Sequence, residues 1–252
     1  MVFAPASPIL TNYHLPIIWA LVLQGRFVHK LKLALITGVS FIILMGGISQ
    51  RHIIECQLIT PSGYLEIESN IFFSPSINSL KSDELLSNIN LAKSRINNTF
   101  GNMTSSPKVI ITVTENEAVS FGSNLYGVTH LSVLGQCIVL GPEGQNIDVI
   151  AHEYMHAEVH HRVGWLNYLL NVPTWFMEGL ATLVDFRKPY LLENIDLTKN
   201  EVNSVKNQTF NHTEIKHYQA ARILASDVNK SKLYENLEKL KQGQNINSVF
   251  AM

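Results

Sequence analysis

Charge is scarce in this sequence and has no preferred sign. Only 15% of the residues are Asp, Glu, Lys or Arg, and 19 basic against 20 acidic residues leave a formal net charge of −1. A nucleic-acid-binding domain carries a basic surplus, so no nucleic-acid partner is expected. Cysteine is rarer still. Cys56 and Cys137 are too few for a disulfide-scaffolded fold and lack the paired spacing of a zinc ribbon. Two readings of the pair stay open: one bridge, if the domain lies outside the cytoplasm, or two buried thiols. No internal repeat and no low-complexity segment is present. What the chain does have is 46% hydrophobic residues over a length of 252, enough for one good core once an N-terminal segment is set aside.

That segment contains a long uncharged run, Leu33–Ser49, of 17 residues, preceded by Arg26, Lys30 and Lys32. Its length is at the short end for a membrane span. Three readings compete: a single-span anchor, a cleaved signal peptide with a small-x-small site at Gly47-Ile48-Ser49, and a buried core helix. The first two send the remainder of the chain across the membrane, because the positive flank stays in the cytoplasm. The expected division is therefore residues 1–32 as a cytoplasmic or unassigned segment, 33–49 as anchor or signal, and 50–252 as an extracytoplasmic domain. Leu15–Leu23 is apolar too, but it is short and interrupted by Pro16.

Beyond Gln50 the composition is that of a soluble α+β domain. Leu65–Phe73 alternates as a strand does, and Val109–Thr114 and Cys137–Leu140 are further apolar strands. Ser82 is the expected cap of a helix through about Asn98, with Leu85, Ile89, Ala92 and Ile96 on one face. Gly122–Gly127 reads as a loop. Helices dominate the remainder.

The most informative stretch is Asp148–Arg162. It contains His152-Glu153-Tyr154-Met155-His156, an H-E-x-x-H pattern, and five of the ten histidines lie between His130 and His161. Side chains four apart share a helix face, so both imidazoles can reach one metal ion with Glu153 beside them as a base. Asn146 can cap this helix, Asp148 suits its first turn, and an apolar stripe beside the histidines implies a helix packed on one side and open to a cleft on the other.

A catalytic zinc site takes three protein ligands. Gly and His at the positions three and six beyond His156 would complete a metzincin pattern, but Val159 and Arg162 stand there. His160 lies one turn too far along the axis for the same ion, and His160 and His161 read as solvated or supporting residues. Glu178 is the better third ligand, in Asn171-Val172-Pro173-Thr174-Trp175-Phe176-Met177-Glu178-Gly179-Leu180-Ala181-Thr182. Pro173 suits a helix N-terminus with Asn171 as its cap. Gly179 would let two helices approach closely enough for Glu178 to meet the histidines.

HEYMH, followed 22 positions after His156 by the glutamate of PTWFMEGLA, resembles the gluzincin metallopeptidases, the clan of thermolysin and the zinc aminopeptidases. The resemblance covers roughly residues 148–250 and is specific only through Ala181. It implies a zincin-like catalytic domain, Zn²⁺ held by His152, His156 and Glu178, Glu153 as general base, and a peptide or protein substrate. Tyr218-Gln219-Ala220-Ala221 is similar to the segment that carries the aminopeptidases' oxyanion-stabilising tyrosine, which implies that role for Tyr218. Here the gap from Glu178 is shorter and Lys-Gly has become Ala-Ala, so His217 and Tyr190 remain alternatives. Asp185 is the candidate for orienting a zinc histidine. The aminopeptidases' glycine-rich exopeptidase motif is absent, which leaves endopeptidase chemistry open. Leu131–Leu140 falls where this clan keeps an edge strand that pairs with substrate. Two rivals remain, a zinc hydrolase of non-peptide bonds and a catalytically inactive envelope protein of the same fold; the intact Glu153 speaks against the second.

Overall fold

The computed structural model describes residues 51–250. The expected anchor at 33–49 and the segment 1–32 lie outside the described residues. Among the described residues, no helix is long and apolar enough to cross a membrane.

The domain is mixed α and β, with its strands in the first half and mostly helices after them, as the α+β expectation required. Five strands form one sheet: β1 (Leu65–Glu68), β2 (Ile71–Phe73), β3 (Lys108–Ile111), β4 (Gly127–Ser132) and β5 (Gly135–Leu140), in the order β1-β2-β3-β5-β4. β2, β3 and β5 run parallel, while β1 and β4 are antiparallel edges. Ten α-helices accompany them among the described residues: α1 (Arg51–Gln57), α2 (Ser79–Phe100), α3 (Glu115–Ser120), α4 (Ile147–Val163), α5 (Trp165–Asn171), α6 (Thr174–Thr182), α7 (Lys199–Ser204), α8 (Ile215–Ser226), α9 (Leu233–Lys241) and α10 (Ile246–Phe250).

The three parallel strands are apolar at nearly every position because both faces of the sheet are covered. Alternate side chains point to opposite faces. Phe73, Ile111 and Leu140 join α2 and α4 in the larger core, whereas Phe72, Ile110 and Val139 pack with Ile53 of α1 in the smaller one. Cys56 of α1 is bonded to Cys137 of β5, which settles the cysteine pair as a bridge.

Several expected boundaries move, each for a local reason. Leu65–Phe73 is two strands rather than one, since Asn70 takes φ 64° and turns the chain back as a hairpin. Asn78, not Ser82, caps α2: its side chain accepts a 2.9 Å hydrogen bond from Lys81 N, so the helix starts a turn earlier. β3 stops at Ile111, leaving Thr114 to cap α3. The stretch Leu131–Leu140 is a hairpin whose second arm lies inside the sheet. The edge strand on that side is β4.

Candidate metal centre

Asn146 caps α4 as expected, its side chain accepting from Asp148 N and Val149 N at 3.1 Å each. Asp148 does more than complement the helix dipole. Its Oδ1 accepts from Arg95 Nη1 of α2 at 2.5 Å and from Phe186 N, beyond α6, at 3.2 Å. These contacts fix the start of α4 between the two elements that flank it. The helix is buried at 13 of its 17 positions, more than one packed side requires, while its His152, Glu153 and His156 line a cleft as expected.

Within this helix His152, Glu153 and His156 are all buried, as is Glu178 of α6. Glu178 Oε2 lies 3.3 Å from His152 Nε2 and 3.4 Å from His156 Nε2. One donor atom from each of the three residues lies within 4.8 Å of the others. Tetrahedral ligands about 2.05 Å from a metal ion stand roughly 3.3–3.4 Å apart, so the two carboxylate–imidazole separations are of the size a shared ion needs. Glu178 Oε2 is buried and, among the described residues, accepts no hydrogen bond. A buried carboxylate oxygen without a donor is costly unless a cation completes it. A His-His-Glu group that can hold a metal ion is therefore built into the fold.

Behind it, Asp185, the sequence's candidate for orienting a zinc histidine, is fully buried, with Oδ2 at 3.4 Å from His152 Nδ1 but without hydrogen-bond geometry between them. Arg187 grips Asp185 through its backbone N at 3.1 Å and through its guanidinium. Burial alone would raise the Asp185 pKa, but His152 and Arg187 hold it well below the usual carboxylate range. Glu178 is likewise held down by His156 and His152 against the effect of burial. Burial would lower the His152 pKa; the carboxylates of Asp185 and Glu178 outweigh it and push it up to about 10. The cluster is thus arranged around fixed negative charge facing imidazole nitrogen.

Glu153 lines the same cavity as the three-residue group and is held at the sheet edge. Thr129 Oγ1 of β4 is 2.7 Å from Glu153 Oε2 and 3.0 Å from Glu153 O. Thr129 was not singled out from the sequence, and no motif marks it. Tyr218 of α8 reaches the same cavity, which holds about 510 Å³ and is also lined by Glu153, Glu178, His212 and the β4 residues Gly127, Val128, Thr129 and Leu131. Burial and the nearby Glu178 carboxylate push the Tyr218 phenol up, so it keeps its proton. The alternatives to it separate cleanly. Tyr190 is buried behind Tyr218, ring centroids 6.0 Å apart, and His217 Nδ1 is taken by Asn211 N at 2.7 Å. His212 was missed: its Nδ1 sits 3.1 Å from Tyr218 Oη and 3.6 Å from Glu178 Oε1.

Three supporting expectations need correction. Asn171 ends α5 and does not cap α6, which starts after Pro173 without a side-chain cap. Gly179 does permit a close helix approach, but to α8 rather than α4. A Cβ there would meet Ala221 O at 2.5 Å and Ala225 Cβ at 2.9 Å. His160 is not solvated: it is buried, with Nδ1 2.9 Å from Gln136 Nε2 and its ring against Tyr168. It stands outside the metal-ligand group, as its helical offset demanded.

No family model matches this chain, and neither a curated protein nor a solved structure does.

Proposed function

We propose that the protein is a zinc-dependent peptide-bond hydrolase of gluzincin type, with a zincin-like domain in which His152, His156 and Glu178 hold Zn²⁺. The observation that carries this reading is the buried, unpartnered Glu178 Oε2 at 3.3 and 3.4 Å from two imidazole nitrogens. When bound, the ion would supply Lewis acidity, polarising the scissile carbonyl and making water acidic near neutral pH. Glu153 then takes a proton from the attacking water and returns it to the leaving amine. The phenol of Tyr218 donates to the oxygen on which negative charge develops, and His212 beside it orients that phenol. Asp185 keeps the His152 ring turned for ligation.

A peptide is favoured as substrate by the wall opposite α4. Among the described residues β4 is the last strand on its side of the sheet, and Gly127, Val128 and Thr129 line the cavity. An extended chain could lie along that edge through its backbone. We place the domain outside the cytoplasm, anchored through residues 33–49; the Cys56–Cys137 bridge supports an oxidising compartment.

The test is metal content and hydrolysis of casein or a fluorogenic peptide, measured on the purified full chain. The reading expects stoichiometric zinc, activity abolished by chelation and restored by Zn²⁺, and loss of both metal and activity in Glu178→Ala. A wild-type chain that holds zinc but cleaves no peptide would shift the assignment to a non-peptide substrate or a binding role.

A further inference from the structure

Helix α5 is built inside out. Its seven residues, Trp-Leu-Asn-Tyr-Leu-Leu-Asn, carry no charge, and none of them is buried. Trp165, Leu166, Leu169 and Leu170 fall within an arc of about 140° on a regular helix. Of these, Leu166, Leu169 and Leu170 are 57%, 62% and 68% exposed. Two of the polar side chains make the contacts with the domain instead. Asn167 Nδ2 donates to Lys241 O at 2.9 Å, and Tyr168 packs on His160 with ring centroids 5.2 Å apart. A surface helix facing water shows the reverse pattern.

The β4–β5 hairpin repeats the anomaly. Its tip presents Val133 and Leu134 at 72% and 60% exposure. Two contacts tie this tip to its surroundings. Gln136, two residues on, meets His160 and through it α5. On the other side Gln57 Nε2 of α1 donates to Leu134 O at 3.4 Å, next to the exposed Leu58. Exposed apolar groups just after α1, at the hairpin tip and on α5 thus stand on elements tied together by these contacts, with more exposed hydrocarbon than a water-facing surface needs.

The chain itself indicates what covers it. α1 begins at Arg51, two positions after the uncharged run Leu33–Ser49 ends. Two residues span at most about 7 Å, so a bilayer that took up this run would lie next to α1. We infer that the outer face of α5 and the hairpin tip rest on a lipid bilayer, immersed at the boundary between headgroups and acyl chains. This docking is independent of any activity of the cavity. It would nonetheless set the cavity beside the membrane surface, since Tyr168 of α5 also lines its wall.

Site-directed spin labelling of the full chain in phosphatidylcholine–phosphatidylglycerol vesicles tests this. The described cysteines are both bridged, so Leu134→Cys, Leu169→Cys and, as control, Leu80→Cys each add one labelling site. Leu80 is equally apolar and 83% exposed but is followed by Lys81, Asp83 and Glu84. Labels at 134 and 169 should lose accessibility to a water-soluble nickel chelate and gain accessibility to oxygen, while the label at 80 keeps its nickel contact. Equal nickel accessibility at all three would overturn the inference. So would protection of 134 and 169 from both reagents, which would assign the face to a second copy of the chain.

Discussion

Thr129 Oγ1 stands 2.7 Å from Glu153 Oε2, joining the open edge of the sheet to the carboxylate beside the two metal-facing histidines. The hydroxyl holds the carboxylate in place, which the proposed proton transfer by Glu153 would need. Thr129→Val keeps the shape and removes the donor. A hydrogen bond to a charged group contributes about 1.5–3 kcal/mol, so kcat should fall by roughly tenfold or more with zinc content unchanged. Glu153→Gln should fall further, by about 10²–10⁴-fold, again with zinc retained. Parallel metal analysis and peptide assays read both; an active Glu153→Gln protein would remove the assigned base.

In the proposed site Asp185 would reach a bound ion only through His152, whose Nδ1 is 3.4 Å from Asp185 Oδ2. Asp185→Asn should therefore weaken zinc affinity by about 10–100-fold rather than abolish it. Competition against a chelator of known strength measures the loss. An unchanged affinity would show that the 3.4 Å approach to His152 Nδ1 does not orient the ring.

Gly179 sits where α6 crosses α8, and a methyl group would strike the Ala221 carbonyl. Its replacement by Ala should cost about 1–3 kcal/mol by overpacking. Because Glu178 precedes it, zinc affinity should fall along with the melting temperature. A variant as stable as the parent, with normal zinc binding, would contradict the close contact.

His160 provides the pH test. Burial and the neighbouring His161 push its pKa down to about 4, against about 6.5 in an unfolded chain. Between those values the unfolded chain binds a proton that the folded one refuses, so stability falls as the pH drops from about 6.5 toward 4 and is fully retained above that window. His160→Gln should flatten this dependence by one proton. Urea unfolding of metal-free protein across that range reads the slope, and identical slopes would mean that His160 titrates normally.

The helix bearing the histidines was legible because ligation by i and i+4 side chains is a local property of the chain. Glu178 was legible through a short flanking pattern, and Asn146 through the chemistry of caps. Thr129 and His212 were not, since nothing near them in sequence reports which strand or loop will cross the cavity. The same limit explains Gly179. Its small size announced a close helix contact, but only the packing of Ala221 and Ala225 identifies the partner. Asn70 bent an alternating run into two strands because one residue's backbone conformation outweighed a good period-2 pattern.

The bond between Cys56 and Cys137 also decides how the domain would respond to mechanical load. Tension arriving from the N-terminal side passes through sulfur directly into β5 and skips the stretch between two cysteines 81 positions apart. Strands β1 to β4 lie inside that covalent loop, so roughly 280 Å of extended chain stays out of reach of a pull that could otherwise peel the sheet apart.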